Sequence, residues 1–360
     1  MATPTRLKKL RGELKRRDLD GIIISHFPDI RYLSGFSGSA GILFVTAKEA
    51  YLLTDGRYTT QASEELPQEI ESIIDRNHFS RLKEDKLIRK GMRIGFQDLA
   101  VTVAQHASMG RIFKKKVDLV AVGGVMSRIT SIKTADEIAS IRKAANIAAK
   151  VYREVLAFVK PGMAEREVAA EMSYRGKQHG AEGDAFEFIV ASGPRSALPH
   201  GRASDKKIRK GELVTLDFGF TVNGLNCDMT RTFAVGEPGA EARHVYETVL
   251  RAEREGVKAA KAGLAARALD AVCRDIIDAA GYGYAFTHST GHGLGIDVHE
   301  HPGIAKTSPL DVELLAGMVV TIEPGIYLPG QFGVRIEDDV LIEAEGCREL
   351  TSATRQLIVV

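Results

Sequence analysis

The sequence predicts two domains of different class, an α/β domain over residues 1–125 and an α+β domain over residues 126–360. Three observations predict this. A chain of 360 residues has the length of about two ordinary domains. Short β-rich runs alternate with helical patterns through the first 125 residues, as they do where helices cover a mixed or parallel sheet. Beyond the Gly123-Gly124 step, long helical patterns come first and hairpin-forming strands follow.

The elements follow in order. Leu7, Leu10 and Leu14 recur at helical spacing in the basic opening segment, which also carries Glu13 and Asp18. That pattern reads as the first amphipathic helix of a folded domain, since transit peptides lack acidic residues. Strands are expected at Gly21 to Ser25, Ala40 to Val45, Ala50 to Thr54, Ile70 to Ile74, Arg93 to Phe96 and Val117 to Val122. Helices are expected at Tyr58 to Leu66 and Phe79 to Arg89. After the glycine step, Thr134 and Glu137 form a capping box. Ile138, Ile141, Ala145, Ala148, Ala149 and Tyr152 then mark one face of a long helix ending before Pro161-Gly162. A second helix is expected from about Ala164 to His179, then strands at Phe186 to Ala191, Leu213 to Val222 and Asn226 to Val235. Two further helices, Ala240 to Ala262 and Ala266 to Ala280, precede strands at Val319 to Ile322, Gly333 to Glu337 and Val340 to Ile342.

Composition narrows the function classes. Forty-nine basic against 47 acidic residues leave a net charge of +2, so charge gives no reason to expect a nucleic acid or a membrane surface as partner. No apolar run approaches the roughly 20 residues that span a bilayer. Cys227, Cys273 and Cys347 are odd in number and form no C-x-x-C pair. They read as reduced thiols of a cytoplasmic protein.

One hairpin fixes its own register. Asn223-Gly224 favours a two-residue type I′ turn, because both residues tolerate positive φ. Val222 then faces Leu225, Asp217 faces Thr230, and Asp228 faces Gly219. Side chains alternate along a strand, so Asp217, Gly219, Asp228 and Thr230 share one face, while Phe218, Phe220, Cys227 and Met229 share the other. The two aspartates become diagonal neighbours. Taken alone, each could be an ordinary solvent-facing residue. The run Leu213-Val214-Thr215-Leu216 before Asp217 looks buried on both faces, however, and a buried aspartate needs a partner.

Three more residues extend the pattern. Glu323 ends the apolar run Val319 to Ile322, and Glu337 follows Val334 and Ile336, with Arg335 on its own face. Four of the ten histidines, His288, His292, His299 and His301, fall within fourteen residues, and His292 sits in Gly291-His292-Gly293-Leu294-Gly295. Those glycines fit neither G-x-G-x-x-G nor a P-loop, and no H-E-x-x-H or G-x-S-x-G occurs. Asp217, Asp228, His292, Glu323 and Glu337 gathered at one point would repel unless cations lay between them. Four carboxylates and one imidazole suit two divalent ions such as Mn²⁺, Co²⁺ or Zn²⁺. Such a pair, about 3.5–4 Å apart, turns a bridging water into a nucleophile at neutral pH. His200 and His299 remain as candidate proton donors. This chemistry points to a hydrolase.

The order Asp217, Asp228, His292, Glu323, Glu337 resembles the di-metal centre of the pita-bread metallopeptidases, which include methionine aminopeptidase, Xaa-Pro aminopeptidase (aminopeptidase P), prolidase and the metal-free relative creatinase. The resemblance covers essentially the whole chain. Leu33-Ser34-Gly35-Phe36-Ser37-Gly38-Ser39-Ala40-Gly41 and Thr54-Asp55-Gly56-Arg57-Tyr58 are especially similar to aminopeptidase P. It implies an N-terminal domain of the creatinase/prolidase type ahead of a pita-bread (creatinase/aminopeptidase) catalytic domain. It also implies two divalent ions per subunit, Mn²⁺ first and Co²⁺ or Zn²⁺ next, and a homodimer. His200 and His299 correspond to outer-sphere histidines that contact substrate, and His288 to a histidine lining the same pocket. Arg335 matches an arginine of the proline-specific members, and Glu323 would be both ligand and proton shuttle. The expected reaction is hydrolysis of the Xaa-Pro bond at a peptide N-terminus by a metal-activated bridging hydroxide. Restriction to Xaa-Pro dipeptides, as in prolidase, stays open. Cleavage after an initiator methionine and a non-catalytic peptide-binding role are remoter alternatives.

Overall fold

A computed structural model describes residues 3–114 and 116–360 of the chain. These form two compact units, Met1–Thr130 and Ser131–Val360.

In the first unit the helices are α1 (Thr3–Arg16), α2 (Phe27–Ser34), α3 (Thr59–Glu65), α4 (His78–Glu84), α5 (Val103–Ile112) and α6 (Ser127–Thr130). The strands are β1 (Gly21–Ile24), β2 (Ile42–Thr46), β3 (Ala50–Thr54), β4 (Glu71–Ile74), β5 (Arg93–Phe96) and β6 (Asp118–Ala121). The strands form one mixed sheet in the order β4-β3-β2-β1-β5-β6. β1 to β3 run antiparallel as a meander, and β4, β5 and β6 add in parallel through helical crossovers. Leu7, Leu10 and Leu14 of α1 are all buried, which is why that segment folds as an amphipathic helix. Helix α4 stops five residues short of the expected Arg89, and Lys86 follows with a left-handed φ of 59°. The chain divides at Thr130 instead of 125 because α6 lies beyond the glycine step and packs against α1.

In the second unit the Thr134–Glu137 capping box opens helix α7 (Ala135–Phe158), followed by α8 (Glu165–Gln178). Strands β7 (Gly183–Asp184), β8 (Ile189–Ser192), β9 (Glu212–Phe218), β10 (Phe220–Val222), β11 (Leu225–Asn226) and β12 (Met229–Val235) come next. The pattern then repeats. Helices α9 (Ala240–Ala259) and α10 (Ala266–Ala279) precede β13 (Gly291–Gly293), β14 (Glu300–Ile304), β15 (Val319–Ile322), β16 (Gly325–Leu328), β17 (Phe332–Arg335), β18 (Asp338–Ile342) and β19 (Cys347–Glu349). The first half builds the sheet β12-β9-β8, and the second builds β14-β13-β15-β18-β19. Val151, Val155, Val190, Leu216, Phe218 and Phe233 pack α7 and α8 onto the first sheet. Val249, Leu269, Ile277, Val320, Ile322 and Val340 pack α9 and α10 onto the second. Each sheet thus spends one face on its helices and leaves the other for chemistry.

The expected strand at Phe186 to Ala191 starts only at Ile189, and β13, β14, β16 and β19 were not anticipated. They are short, and β13 and β14 contain glycine or proline, so no alternating pattern marks them. No helix among the described residues is long and apolar enough to cross a membrane.

Candidate metal centre

The hairpin turns as its sequence requires. Asn223 and Gly224 take φ values of 52° and 71°, and Val222 pairs with Leu225. The same register continues into β9 and β12, where Asp217 pairs with Thr230 and Phe218 with Met229. Both strands break at Gly219 and Asp228, where a Cβ on Gly219 would overlap the Cys227 carbonyl oxygen. Glycine there lets the backbone close up beside the Asp228 carboxylate. The second sheet supplies the rest. His292 is the middle residue of β13, Glu323 follows the end of β15, and Glu337 lies at the junction of β17 and β18.

All five line one cavity of about 640 Å³, together with His200, His288, His299 and Arg335. Asp228, His292 and Glu337 are tightest, each offering a ligand atom within 4.8 Å of the others. His292 Nε2 lies 3.8 Å from Asp228 Oδ2 and 3.5 Å from Glu323 Oε1. Its Nδ1 is 3.0 Å from the Gly293 carbonyl oxygen. That contact assigns the proton to Nδ1 and turns the Nε2 lone pair toward the carboxylates.

The electrostatics suit a bound cation. Burial pushes the Asp228 carboxyl well above its usual range, and Glu337 and Asp217 add repulsion. Burial likewise raises Glu337, with Glu323 and Asp217 adding to it. Glu323 is pushed up to about 8, chiefly by burial. His292 moves down to about 4, again through burial, with His299 next. A neutral imidazole lone pair facing carboxylates makes no hydrogen bond to them, and Asp228 Oδ1 is buried without any hydrogen-bond partner. Divalent cations would satisfy every one of these atoms at once. The residues present therefore fit a divalent metal site.

A layer of hydrogen bonds fixes the ligands, as metal sites require. Thr230 Oγ1 donates to Glu337 Oε2 at 2.6 Å and accepts from Arg335 Nε at 3.0 Å. Arg335 Nη2 donates to Asp217 Oδ2 at 2.6 Å, and its Nη1 donates to the Pro199 carbonyl and to Tyr327 Oη. Asp339 Oδ2 accepts from the Asp228 backbone N–H at 3.1 Å. His288 Nε2 lies 2.8 Å from Tyr327 Oη, and burial lowers this imidazole to about 3. The His299 ring stands edge-on to His292 with centroids 4.3 Å apart.

Tyr327, Asp339, Glu187 and Arg202 are among the residues of this region that the sequence did not single out. Tyr327 sits on the unanticipated β16, and only alternation along that strand could have flagged it. The loop carrying His200 is held by Glu165, a fully buried carboxylate that accepts from Ser192, Arg195 and Ser204. Replacing Glu165 with Ala is expected to cost about 2–4 kcal/mol, since several buried donors lose their acceptor. Urea unfolding checks the magnitude, and hydrogen exchange checks that protection falls over residues 192–204.

Comparisons with known proteins place the chain in a family. The creatinase/prolidase N-terminal domain family matches residues 6–132, and metallopeptidase family M24 matches residues 139–344. The chain is 40% identical over 359 residues to the Xaa-Pro dipeptidase of Pyrococcus furiosus, covering 98% of this chain and 99% of that protein. The solved structure of Xaa-Pro dipeptidase from Bacillus anthracis superposes with a TM-score of 0.93 at 38% identity, covering 100% of both chains. The crystal structure of X-Pro aminopeptidase from Thermotoga maritima MSB8 follows at 0.91 and 36% identity, covering 98% of this chain and 99% of that one. The chain belongs to metallopeptidase family M24, with a creatinase/prolidase N-terminal domain ahead of a pita-bread catalytic domain.

Proposed function

We propose that the chain hydrolyses the Xaa-Pro bond of small peptides, with Xaa-Pro dipeptides as its preferred substrates. The observation that carries this reading is the cluster of five ligand-type residues at the wall of a cavity of about 640 Å³. That volume suits a short peptide, since small-ligand pockets run from about 300 to 1,000 Å³. The aminopeptidase activity expected from the sequence becomes the second reading, because relatives named as dipeptidases match the chain end to end. The Thermotoga X-Pro aminopeptidase, nearly as similar, keeps it in view.

When bound, a pair of divalent ions, Mn²⁺ first and Co²⁺ or Zn²⁺ next, supplies Lewis acidity and lowers the pKa of water toward neutrality. Asp217, Asp228, His292, Glu323 and Glu337 would hold them. The protein's own residues do the rest. An Xaa-Pro bond has no N–H to read, so the proline ring is recognised by shape, and Phe186, Ile189 and Val298 give the cavity an apolar wall. His200 and His299 donate to the oxygen that gains charge as water adds to the carbonyl before proline. Glu323 takes the proton of the attacking water and passes it to the proline nitrogen, which leaves as a secondary amine. Arg335 holds Asp217 and the Pro199 carbonyl, and so sets His200 relative to the ligands.

The test compares Ala-Pro with Ala-Pro-Gly on purified, Mn²⁺-loaded protein. Cleavage of the dipeptide with little or none of the tripeptide is expected, and the reverse preference favours the aminopeptidase. No cleavage of either, with bound metal verified by elemental analysis, rejects the proposal. Exhaustive chelation is expected to remove activity and lower the melting temperature, and Mn²⁺ addition to restore both. Light scattering tests the homodimer implied by the resemblance.

A further inference from the structure

A dipeptide differs from the start of a longer peptide in one charged group. Its C-terminal carboxylate lies three bonds from the scissile carbonyl carbon, so a permanent cation in the cavity that holds the ligands can select dipeptides. Two arginines line that cavity. Arg335 is 3% exposed, and its three nitrogens are engaged by Thr230, Pro199, Tyr327 and Asp217. Four of its five N–H groups are thereby committed, and its burial holds the guanidinium in that position.

Arg202 differs in each respect. Its backbone is anchored, bridging Ile189 at the start of β8 and accepting at its carbonyl from Arg195 Nη2. Its side chain is 74% exposed and meets Glu187, itself 63% exposed, at 3.1 Å. Both residues belong to the cavity lining, beside His200 and the apolar wall of Phe186 and Ile189. An exposed ion pair of this kind contributes little to stability and exchanges readily for another carboxylate. A guanidinium binds a carboxylate through a two-pronged contact, which makes it the natural reader of a peptide C-terminus.

We infer that Arg202 is the specificity-determining residue for substrate length, exchanging its contact with Glu187 for the C-terminal carboxylate of an Xaa-Pro dipeptide. This rests on the dipeptide reading above. It adds a role for a residue outside the ligand set and its hydrogen-bonded supports.

The test uses Ala-Pro and its C-terminal amide on the Mn²⁺-loaded wild type and on Arg202→Met. Wild type is expected to favour the acid over the amide. Arg202→Met is expected to lose about 10- to 100-fold in kcat/KM on the acid, mostly through KM, and to stay within about twofold of wild type on the amide. Arg202→Lys should recover part of the loss. The amide rate also reports whether the variant remains folded and loaded. Equal activity of Arg202→Met and wild type on the acid overturns the inference, as does an equal fall on acid and amide. A wild type that cleaves acid and amide alike overturns it while leaving Xaa-Pro hydrolysis intact. A wild type that cleaves neither removes the functional reading and this inference together.

Discussion

Asp228→Asn is expected to lower kcat/KM on the preferred Xaa-Pro substrate by at least about 1,000-fold, because even a residue that merely supports a metal ligand costs about 10- to 100-fold when lost. The amide fits the same space but cannot supply the charge that holds a divalent ion. Metal content should fall with activity, and elemental analysis of dialysed protein checks this. The metal-free proteins should rank in the opposite order. Burial and the neighbouring Glu337 and Asp217 raise the folded-state pKa of Asp228 well above that of the unfolded chain. The folded state therefore holds more protons, and metal-free wild type loses stability as pH rises from about 4 through the raised folded value. Glu323, pushed up to about 8, adds to the same trend between roughly 4.5 and 8. The asparagine amide carries no such charge, so the metal-free variant should melt above metal-free wild type at neutral pH. Added Mn²⁺ should raise the melting temperature of wild type far more than that of the variant. A variant that keeps wild-type turnover and metal content would remove Asp228 from the site.

How much of this was legible depended on how local the determining physics is. The hairpin of Asp217 and Asp228 needed only the turn preference of Asn223-Gly224 and the two-residue alternation, and the observed register pairs Asp217 with Thr230 as expected. The capping box at Thr134 and the apolar face of α7 were equally local. β13 was not, although it carries His292. A Cβ at Gly291 would overlap the Thr321 carbonyl oxygen, and one at Gly293 the His301 carbonyl oxygen, so these glycines answer to the neighbouring strands β15 and β14 of their sheet. Glu337 was legible as a candidate ligand, but nothing local marks its neighbours Asp338 and Asp339, yet all three residues are buried. Their cationic and backbone partners lie more than a hundred positions away, at Arg231 and Asp228. Arg202 and Glu187 meet only because the His200 loop folds back along β8. Chemical type and alternation are written locally, and closure between distant segments is not.

Arg231→Met is expected to be the most destabilising single change outside the ligands. Arg231 shares its strand face with Met229 and Phe233, so its position belongs to the core face, and its side chain is completely buried. All three guanidinium nitrogens are used. Nη1 donates to the Thr230 and Glu337 carbonyls at 2.9 and 2.6 Å, Nη2 to Asp338 Oδ1 and the Ala353 carbonyl at 2.6 and 2.8 Å, and Nε to the Thr354 carbonyl at 2.9 Å. One side chain thereby ties β12, the junction that presents Glu337, and the C-terminal segment. Methionine fills much of the volume but leaves four carbonyls and one carboxylate oxygen without that donor. Breaking a buried pair from one side costs about 3–5 kcal/mol. For a unit of this size that corresponds to a melting temperature lower by roughly 10 °C. Lysine preserves the charge but cannot make the forked contacts, so Arg231→Lys should fall well short of wild type. The freed Glu337 carbonyl should also loosen its carboxylate, weakening Mn²⁺ binding by about 10- to 100-fold in whatever protein remains folded. Thermal unfolding with and without Mn²⁺ separates the two effects. Loss of stability with unchanged metal affinity would confine Arg231 to the fold, and wild-type melting would show that its five hydrogen bonds hold nothing together.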